Sequence, residues 1–345
     1  MKTASYFSGI GGMDLGLERA GLNIISQCEK DEYRREVLNE RFPGTKIFED
    51  ISEVYYGEPE SGSSFSRFYS TNKRRRKTWA GLSGSIDLIC GGFPCQDLSV
   101  AGKREGLAGK RSGLFFEFAR VAEESVKEGG FILLENVPGL FSSHEGEDFR
   151  ILLETLYERG FNDLAWRVFN SQYFGVPQRR RRVFILGRRS GGRSCAQILL
   201  EPESCAWNHS KNNKTKEKNS YPSIAGLGTG GPDDIDAQNG RLISKPLLSH
   251  KQGYRLSDDS DQLISGPLTS RYGKGINSTV DDGAAIIEQI GVRRLTPVEC
   301  ERLQGLPDNW TQLGNTSDTK RYAAIGDAVT VPVAEYIGER ILKYA

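Results

Sequence analysis

Residues 91–99 read GGFPCQDLS, which sets a cysteine directly behind a proline and a pair of glycines at the end of the apolar run Ile86 to Cys90. Pro94 fixes its own φ and biases Phe93 towards extended backbone, while Gly91 and Gly92 let backbone approach a ligand closely. A thiol held on so constrained a turn can serve as a nucleophile; a structural cysteine on an ordinary surface loop is the other reading of Cys95. Beyond it the chain becomes glycine-rich and basic, SVAGKREGLAGKRSG, with Lys103, Arg104, Lys110 and Arg111 spaced by glycines. Such a loop could close over a polyanion. Two further segments carry related chemistry. FILLENVPGL ends an apolar strand on Glu135 and Asn136, where desolvation could raise the carboxyl pKa and let it donate a proton. FGVPQRRRRVFILGRR leads into another strand, and extended alternation turns Gln178, Arg180 and Arg182 to one face, Arg179 and Arg181 to the other. By themselves, four consecutive arginines read as a solvated or polyanion-binding run.

These groups need a scaffold, and the N-terminal segment TASYFSGIGGMDLGL begins one: a short apolar entry, a turn with Gly9, Gly11 and Gly12, then residues of helical period. A strand, glycine turn and helix start suit a ligand's carboxylate or ribose at the edge of an open α/β sheet. Glycine turns also serve nicotinamide sites, and this spacing is not GxGxxG. NIISQCEKDEY then ends an apolar run on Glu29, where an acid can accept ribose hydroxyls or simply be a solvated strand end. TKIFEDI places Asp50 at the end of a third run, so two acids and a glycine turn line one edge of a parallel sheet.

The segments GGFPCQ, ENV, QRRRR, RRLTPVECERLQGLPDNW and IGDAVTVPV, in this order, resemble the DNA (cytosine-5-)methyltransferases over most of residues 3–187 and 291–342. The resemblance implies a Rossmann-like methyltransferase fold, a doubly wound and mostly parallel α/β sheet, with a smaller, mainly β and loop target-recognition domain. It implies S-adenosyl-L-methionine as cofactor, S-adenosyl-L-homocysteine as product, and double-stranded DNA as partner. Cys95 would add to carbon 6 of cytosine, Glu135 would protonate or hydrogen-bond ring nitrogen 3, Asn136 would support its placement, and Arg180 and Arg182 would hold the base carbonyl and a neighbouring phosphate. The cofactor would lie against Phe7, Ser8, Gly9, Ile10, Gly11 and Gly12, against Glu29, Lys30, Asp50 and Ile51, and against Pro94, Leu114, Asp327, Ala328 and Val329. DNA would meet Gln96, Ser99, Lys103, Arg104 and Gln178. One departure stands in the C-terminal motif: the family's GNAV is here Gly326-Asp327-Ala328-Val329, an acid in place of an amide.

Composition agrees with this reading and would not have led to it. The 345 residues carry a net charge of +1, with 26% charged and 37% hydrophobic residues, as in an ordinary soluble protein. Basic runs at 73–77 (KRRRK) and 179–182 show that cations cluster despite the neutral total. No apolar stretch reaches the length of a membrane span, the N-terminus lacks a signal-peptide pattern, and six cysteines without CxxC spacing suit a reducing cytoplasm. A metal site is not expected, since Cys195, Cys205 and His209 lack a fourth ligand.

Three units are expected: a catalytic and cofactor-binding domain at 1–188, a target-recognition domain at 189–290, and a hinge with C-terminal return to the first domain at 291–345. Within the second, ISKPLLSHKQGYRLSDDSDQLI and ISGPLTSRYGKGINSTVDDGAAII read as imperfect copies, with Tyr254, Arg255, Arg271, Tyr272 and Lys274 as its DNA-facing candidates or plain solvated turns. The serine-rich, basic 57–85 segment is either a surface excursion or an extra phosphate-contacting arm. A monomer is expected, with a cognate restriction endonuclease as a conceivable partner. Other readings are an RNA cytosine-5 methyltransferase, a non-catalytic DNA-binding relative and a nicotinamide-dependent oxidoreductase. The last leaves Cys95, Glu135 and the arginines unemployed.

Overall fold

The computed structural model describes residues 1–55, 77–78, 84–93, 113–190, 194–200, 285–288 and 291–345. In chain order the elements are β1 (Lys2–Tyr6), α1 (Gly12–Arg19), β2 (Asn23–Cys28), α2 (Glu32–Arg41), β3 (Lys46–Phe48), β4 (Val54–Tyr55), β5 (Lys77–Thr78), β6 (Ile86–Gly92), α3 (Gly113–Ser125), β7 (Val126–Asn136), α4 (Glu147–Glu158), β8 (Asp163–Asn170), β9 (Arg181–Arg188), α5 (Ser194–Leu199), β10 (Ala285–Glu288), β11 (Gly291–Arg294), α6 (Pro297–Leu303), α7 (Asp318–Asp327) and α8 (Val331–Tyr344). Seven strands form one sheet in the order β3-β2-β1-β6-β7-β9-β8. The pairs from β3 through β7 are parallel, and β9 runs antiparallel to both β7 and β8. This is the doubly wound, mostly parallel sheet expected from the sequence.

Period-two alternation places apolar side chains on both faces of the central strands. On one face Ile89, Ile132 and Leu134 pack with Phe115, Phe118 and Ala122 of α3 and Leu152 and Leu156 of α4. On the other, Leu88, Cys90, Phe131 and Leu133 pack with Leu17 of α1 and Val333, Ile337 and Ile341 of α8. Helix α3 can do this because its buried residues recur at positions 115, 118, 119 and 122, one stripe of a 3.6-residue repeat. The two ends of the chain thus share one core, since α8 lies along α1. A third cluster joins Val37, Leu38 and Phe42 of α2 to Leu303, Trp310 and Ile325 near the C-terminus, and the Trp310 indole donates to the carbonyl of Ile10 at 2.8 Å.

Helix α5 corrects one boundary. It falls beyond residue 188, yet Cys195, Ile198 and Leu199 are fully buried in the same cluster as α8, and Arg167 of β8 donates to the Leu199 carbonyl at 2.7 Å. The first unit therefore extends at least to Leu200, because these apolar side chains have their burial partners there. Between 201 and 290 only the strand β10 is described; with β11 it forms an antiparallel hairpin. Among the described residues, no helix is long and apolar enough to cross a membrane.

Candidate active site

The strand order reverses between β1 and β6, and the crevice outside the carboxyl ends of strands at such a point is where open α/β sheets bind ligands. A cavity of about 500 Å³ lies there, within the size range of small-molecule sites. Its walls are residues at or just beyond the carboxyl ends of β1 (Phe7 to Gly9), β2 (Glu29, Lys30), β3 (Asp50, Ile51), β6 (Phe93) and β7 (Glu135 to Val137), closed by Leu114, Arg180, Arg182 and Gly326 to Val329.

At one end stand the two acids read from strand ends. Glu29 is 8% exposed, and its oxygens accept from the backbone amides of Gly9 (2.8 Å) and Asp31 (2.9 Å). Each carboxylate oxygen keeps a second lone pair for a hydroxyl donor. Asp50 caps the turn at Ile51 by accepting from Ser52 N at 2.9 Å, and Lys30 stands 3.8 Å from it. Phe7 is held at φ +55°, a left-handed conformation that a bulky residue adopts only under tertiary constraint. The Ser8 amide, bonded to the Cys28 carbonyl at 3.1 Å, is part of that constraint.

The other end holds the charged pair of the candidate chemistry. Glu135 Oε1 lies 3.0 Å from Arg182 Nε, with the carboxylate side chain 12% exposed. Burial pushes the Glu135 pKa up, and the nearby Arg182 and Arg180 charges offset only part of that. Gly92 is paired in register with Glu135, and a Cβ there would come within 3.0 Å of the carboxylate, so glycine leaves the acid its space. Asn136 is buried; its amide donates to the Phe93 carbonyl at 3.1 Å and its oxygen accepts from Val137 N at 2.8 Å. It ties the exit of β6 to the end of β7, next to the acid it was expected to support.

Several expected contacts resolve differently. Arg180 is 2% exposed, and its terminal nitrogens donate to the carbonyls of Gly326 (3.1 Å) and Ala328 (3.0 Å). These two bonds brace the C-terminal turn against the cavity, which Arg180 also lines. Burial, reinforced by the Arg182 charge, holds its pKa down to about 9, which still leaves it cationic at neutral pH. Gln178 is fully buried and donates to the Leu303 carbonyl at 2.8 Å, so it has no surface to offer DNA here. Ile10, Gly11 and Gly12 lie behind the cavity and do not line it: Ile10 belongs to the third core cluster, and a Cβ on Gly12 would sit 2.4 Å from the Val329 carbonyl. Pro94, Cys95, Gln96, Ser99, Lys103 and Arg104 lie outside the described residues, as do Tyr254, Arg255, Arg271, Tyr272, Lys274 and the basic run up to Arg76.

Residues 1–343 match the family of C-5 cytosine-specific DNA methylases. The chain belongs to that family. It is similar to the Type II methyltransferase M2.BsuMI of Bacillus subtilis, 30% identical over 99% of this chain and 75% of that protein, and to M1.ScrFI of Lactococcus lactis subsp. cremoris, 32% identical over 99% and 79%. The fold is shared with the Dnmt2 methyltransferase of S. pombe (TM-score 0.58, 18% identity, 99% of this chain and 98% of that chain) and with Entamoeba histolytica EhMeth (TM-score 0.59, 18%, 99% and 98%). The expected DNA cytosine-5-methyltransferase is thereby established as an enzyme class.

In this methylase the cavity also contains a residue that motif reading passed over. Arg34, in the first turns of α2, lines the wall and reaches Asp327 with an Nη2 to Oδ2 distance of 2.5 Å. Its side chain is 23% exposed and that of Asp327 45%. The signal available in sequence was slight, an arginine five positions after Glu29, and its partner is 293 residues away.

Proposed function

We propose that this methylase transfers the methyl group of S-adenosylmethionine to carbon 5 of a flipped-out cytosine in a specific duplex sequence, through a covalent adduct of Cys95 at carbon 6. The observation that carries this reading is the single cavity with Glu29 and Asp50 at one end and the Glu135–Arg182 pair at the other. The residues fit the cofactor: two acids at strand ends for ribose hydroxyls, the apolar sides of Phe7, Ile51 and Leu114 for the adenine, and charged groups near Asp327 for the amino acid end. When bound, S-adenosylmethionine supplies an electrophilic methyl group on a sulfonium sulfur.

Cytosine carbon 5 is too weak a nucleophile for that methyl until electrons enter the ring. The Cys95 thiolate provides them by forming a bond to carbon 6. Glu135, whose acid form burial favours, gives ring nitrogen 3 a proton or a hydrogen bond as the charge arrives, and Arg182 fixes the carboxyl and reaches the base carbonyl. Once carbon 5 carries the methyl group, loss of its remaining proton to a base lets the bond between Cys95 sulfur and carbon 6 break, which restores the thiolate and the aromatic ring. A stacked base cannot reach such a cavity, so the cytosine must leave the duplex, at about a few kcal/mol. In sequence Cys95 follows Phe93, the last described residue of the cavity wall there, by two positions. Similarity to Type II methyltransferases supports a role in DNA modification; a monomer in the cytoplasm of a bacterial or phage-infected cell, with a cognate restriction endonuclease, completes the proposal.

The test is duplex DNA carrying 5-fluorocytosine, incubated with the protein and S-adenosylmethionine. A denaturation-resistant protein–DNA adduct is expected, because fluorine cannot leave as a proton does, and Cys95→Ser should form none. An absence of adduct from the unaltered protein on methylatable DNA would overturn the covalent route. Labelled methyl transfer to duplex DNA against transfer RNA checks the substrate.

A further inference from the structure

Arg34 and Asp327 form a charge pair that belongs to neither strand-end acids nor the Glu135–Arg182 centre. They reach the cavity from two different helices: Arg34 from the N-terminal turns of α2, whose cap Asp31 accepts from Arg34 N at 2.9 Å, and Asp327 from the last residue of α7. Their bond uses one guanidinium nitrogen and one carboxylate oxygen. Among the described residues, neither side chain makes another hydrogen bond, so the rest of the Arg34 fork and Asp327 Oδ1 remain available while the pair stays closed. Arg34 holds its charge: burial lowers its pKa, but the neighbouring Asp327 and Glu29 charges more than offset it.

A cation and an anion side by side at a cavity wall match a ligand that carries the same two charges side by side. An α-amino acid zwitterion does. We propose that Arg34 and Asp327 act as a clamp for the amino acid end of the cofactor, its carboxylate on the Arg34 fork and its ammonium on Asp327; this rests on the proposed cofactor reading. The clamp explains how an acid is accommodated at position 327. Alone, a carboxylate there would repel the cofactor's carboxylate, and Arg34 both neutralises it and supplies the carboxylate's partner. Arg34 is then a specificity-determining residue that selects ligands with an intact α-amino acid over nucleosides without one.

The experiment measures binding by calorimetry of two probes, S-adenosylhomocysteine and methylthioadenosine, which share the nucleoside and thioether but differ in the amino acid end. For the unaltered protein both should bind. Arg34→Gln should weaken S-adenosylhomocysteine by at least about tenfold, equivalent to about 1.4 kcal/mol, with methylthioadenosine changed less than about twofold. Arg34→Lys, which keeps the charge and loses the fork, should fall between. Asp327→Asn keeps acceptors and should cost less than about tenfold, again on S-adenosylhomocysteine alone. Equal losses for both probes, or no loss for either, would overturn the clamp and leave the cofactor reading standing. Binding of neither probe by the unaltered protein would remove the reading and the clamp together. Thermal unfolding of each unliganded variant shows that it is folded.

Discussion

Asp14 shows how a single side chain can be both buried and poised. It is fully buried beneath the glycine turn, accepting from Gln27 Nε2 at 2.9 Å and from the Ser5 hydroxyl at 3.1 Å, and Ser8 in turn donates to Ser5 at 3.0 Å. Burial raises its pKa to about 6, with the Gln27 and Ser5 bonds offsetting part of the effect. The folded state therefore holds this proton more tightly than the unfolded chain, whose carboxyl stays near 3.8. Stability from this group is fully present below pH 4 and is lost as pH rises through about 6, a swing on the order of 3 kcal/mol. Asp14→Asn should flatten that part of the profile. Urea unfolding of both proteins at pH 4.5 and 7.5 measures it, and parallel profiles would mean that Asp14 is not the group responsible. Because Ser5 and Ser8 both line the cavity, the same carboxyl is connected to the cavity wall.

At the scale of elements, the site depends on how closely the first helix approaches the C-terminal turn. Gly12 opens α1 where Val329 passes, and a Cβ would stand 2.4 Å from the Val329 carbonyl, a backbone atom with no flexible end to move aside. Gly12→Ala should cost about 1–3 kcal/mol through overpacking. It should also weaken S-adenosylhomocysteine, since Val329 is part of the cavity and must shift. Chemical denaturation and calorimetry on the same variant separate the two losses, and full stability in Gly12→Ala would show that the turn adapts. The alternation of Gln178, Arg180 and Arg182 was legible because extended backbone has period two. What faces them was not. Alternation sorts side chains into two faces but cannot say whether a face meets solvent, DNA or, as found for the first two, the carbonyls of α6 and of the turn after α7.

For the whole molecule, the packing of α8 on α1 makes the two chain ends one cooperative unit. Ile337 is fully buried in the cluster that includes Leu17, Leu88 and Leu133, and Ile337→Ala should cost about 2–5 kcal/mol. If the core is single, slow hydrogen exchange of Gly12–Arg19 should accelerate along with that of α8. Acceleration confined to α8 would show a C-terminal helix that opens independently. The same geometry brings residues 326–329, far along the chain, into the wall of a cavity lined mainly by residues at the ends of the first strands.

By itself the sequence determined the fold class and the strand-end acids, because apolar runs of strand length that end on Glu29, Asp50 and Glu135 encode both a buried parallel sheet and the edge where its ligands sit; the family was legible through the resemblance of its ordered motifs. Through that resemblance the sequence also implied that Glu135 and Arg182 belong to one centre, and the structure brings them to 3.0 Å. Tertiary structure alone decided the rest. Arg34 meets Asp327 only after the sheet has brought α2 and α7 together, and no local pattern encodes a partner 293 residues distant. Likewise, only the tertiary structure shows that Gln178 and Arg180 are buried and donate to the carbonyls of Leu303, Gly326 and Ala328. Helix α5 joins the catalytic core for the same reason. A polar stretch reads as a domain boundary until packing shows where Cys195, Ile198 and Leu199 find apolar partners.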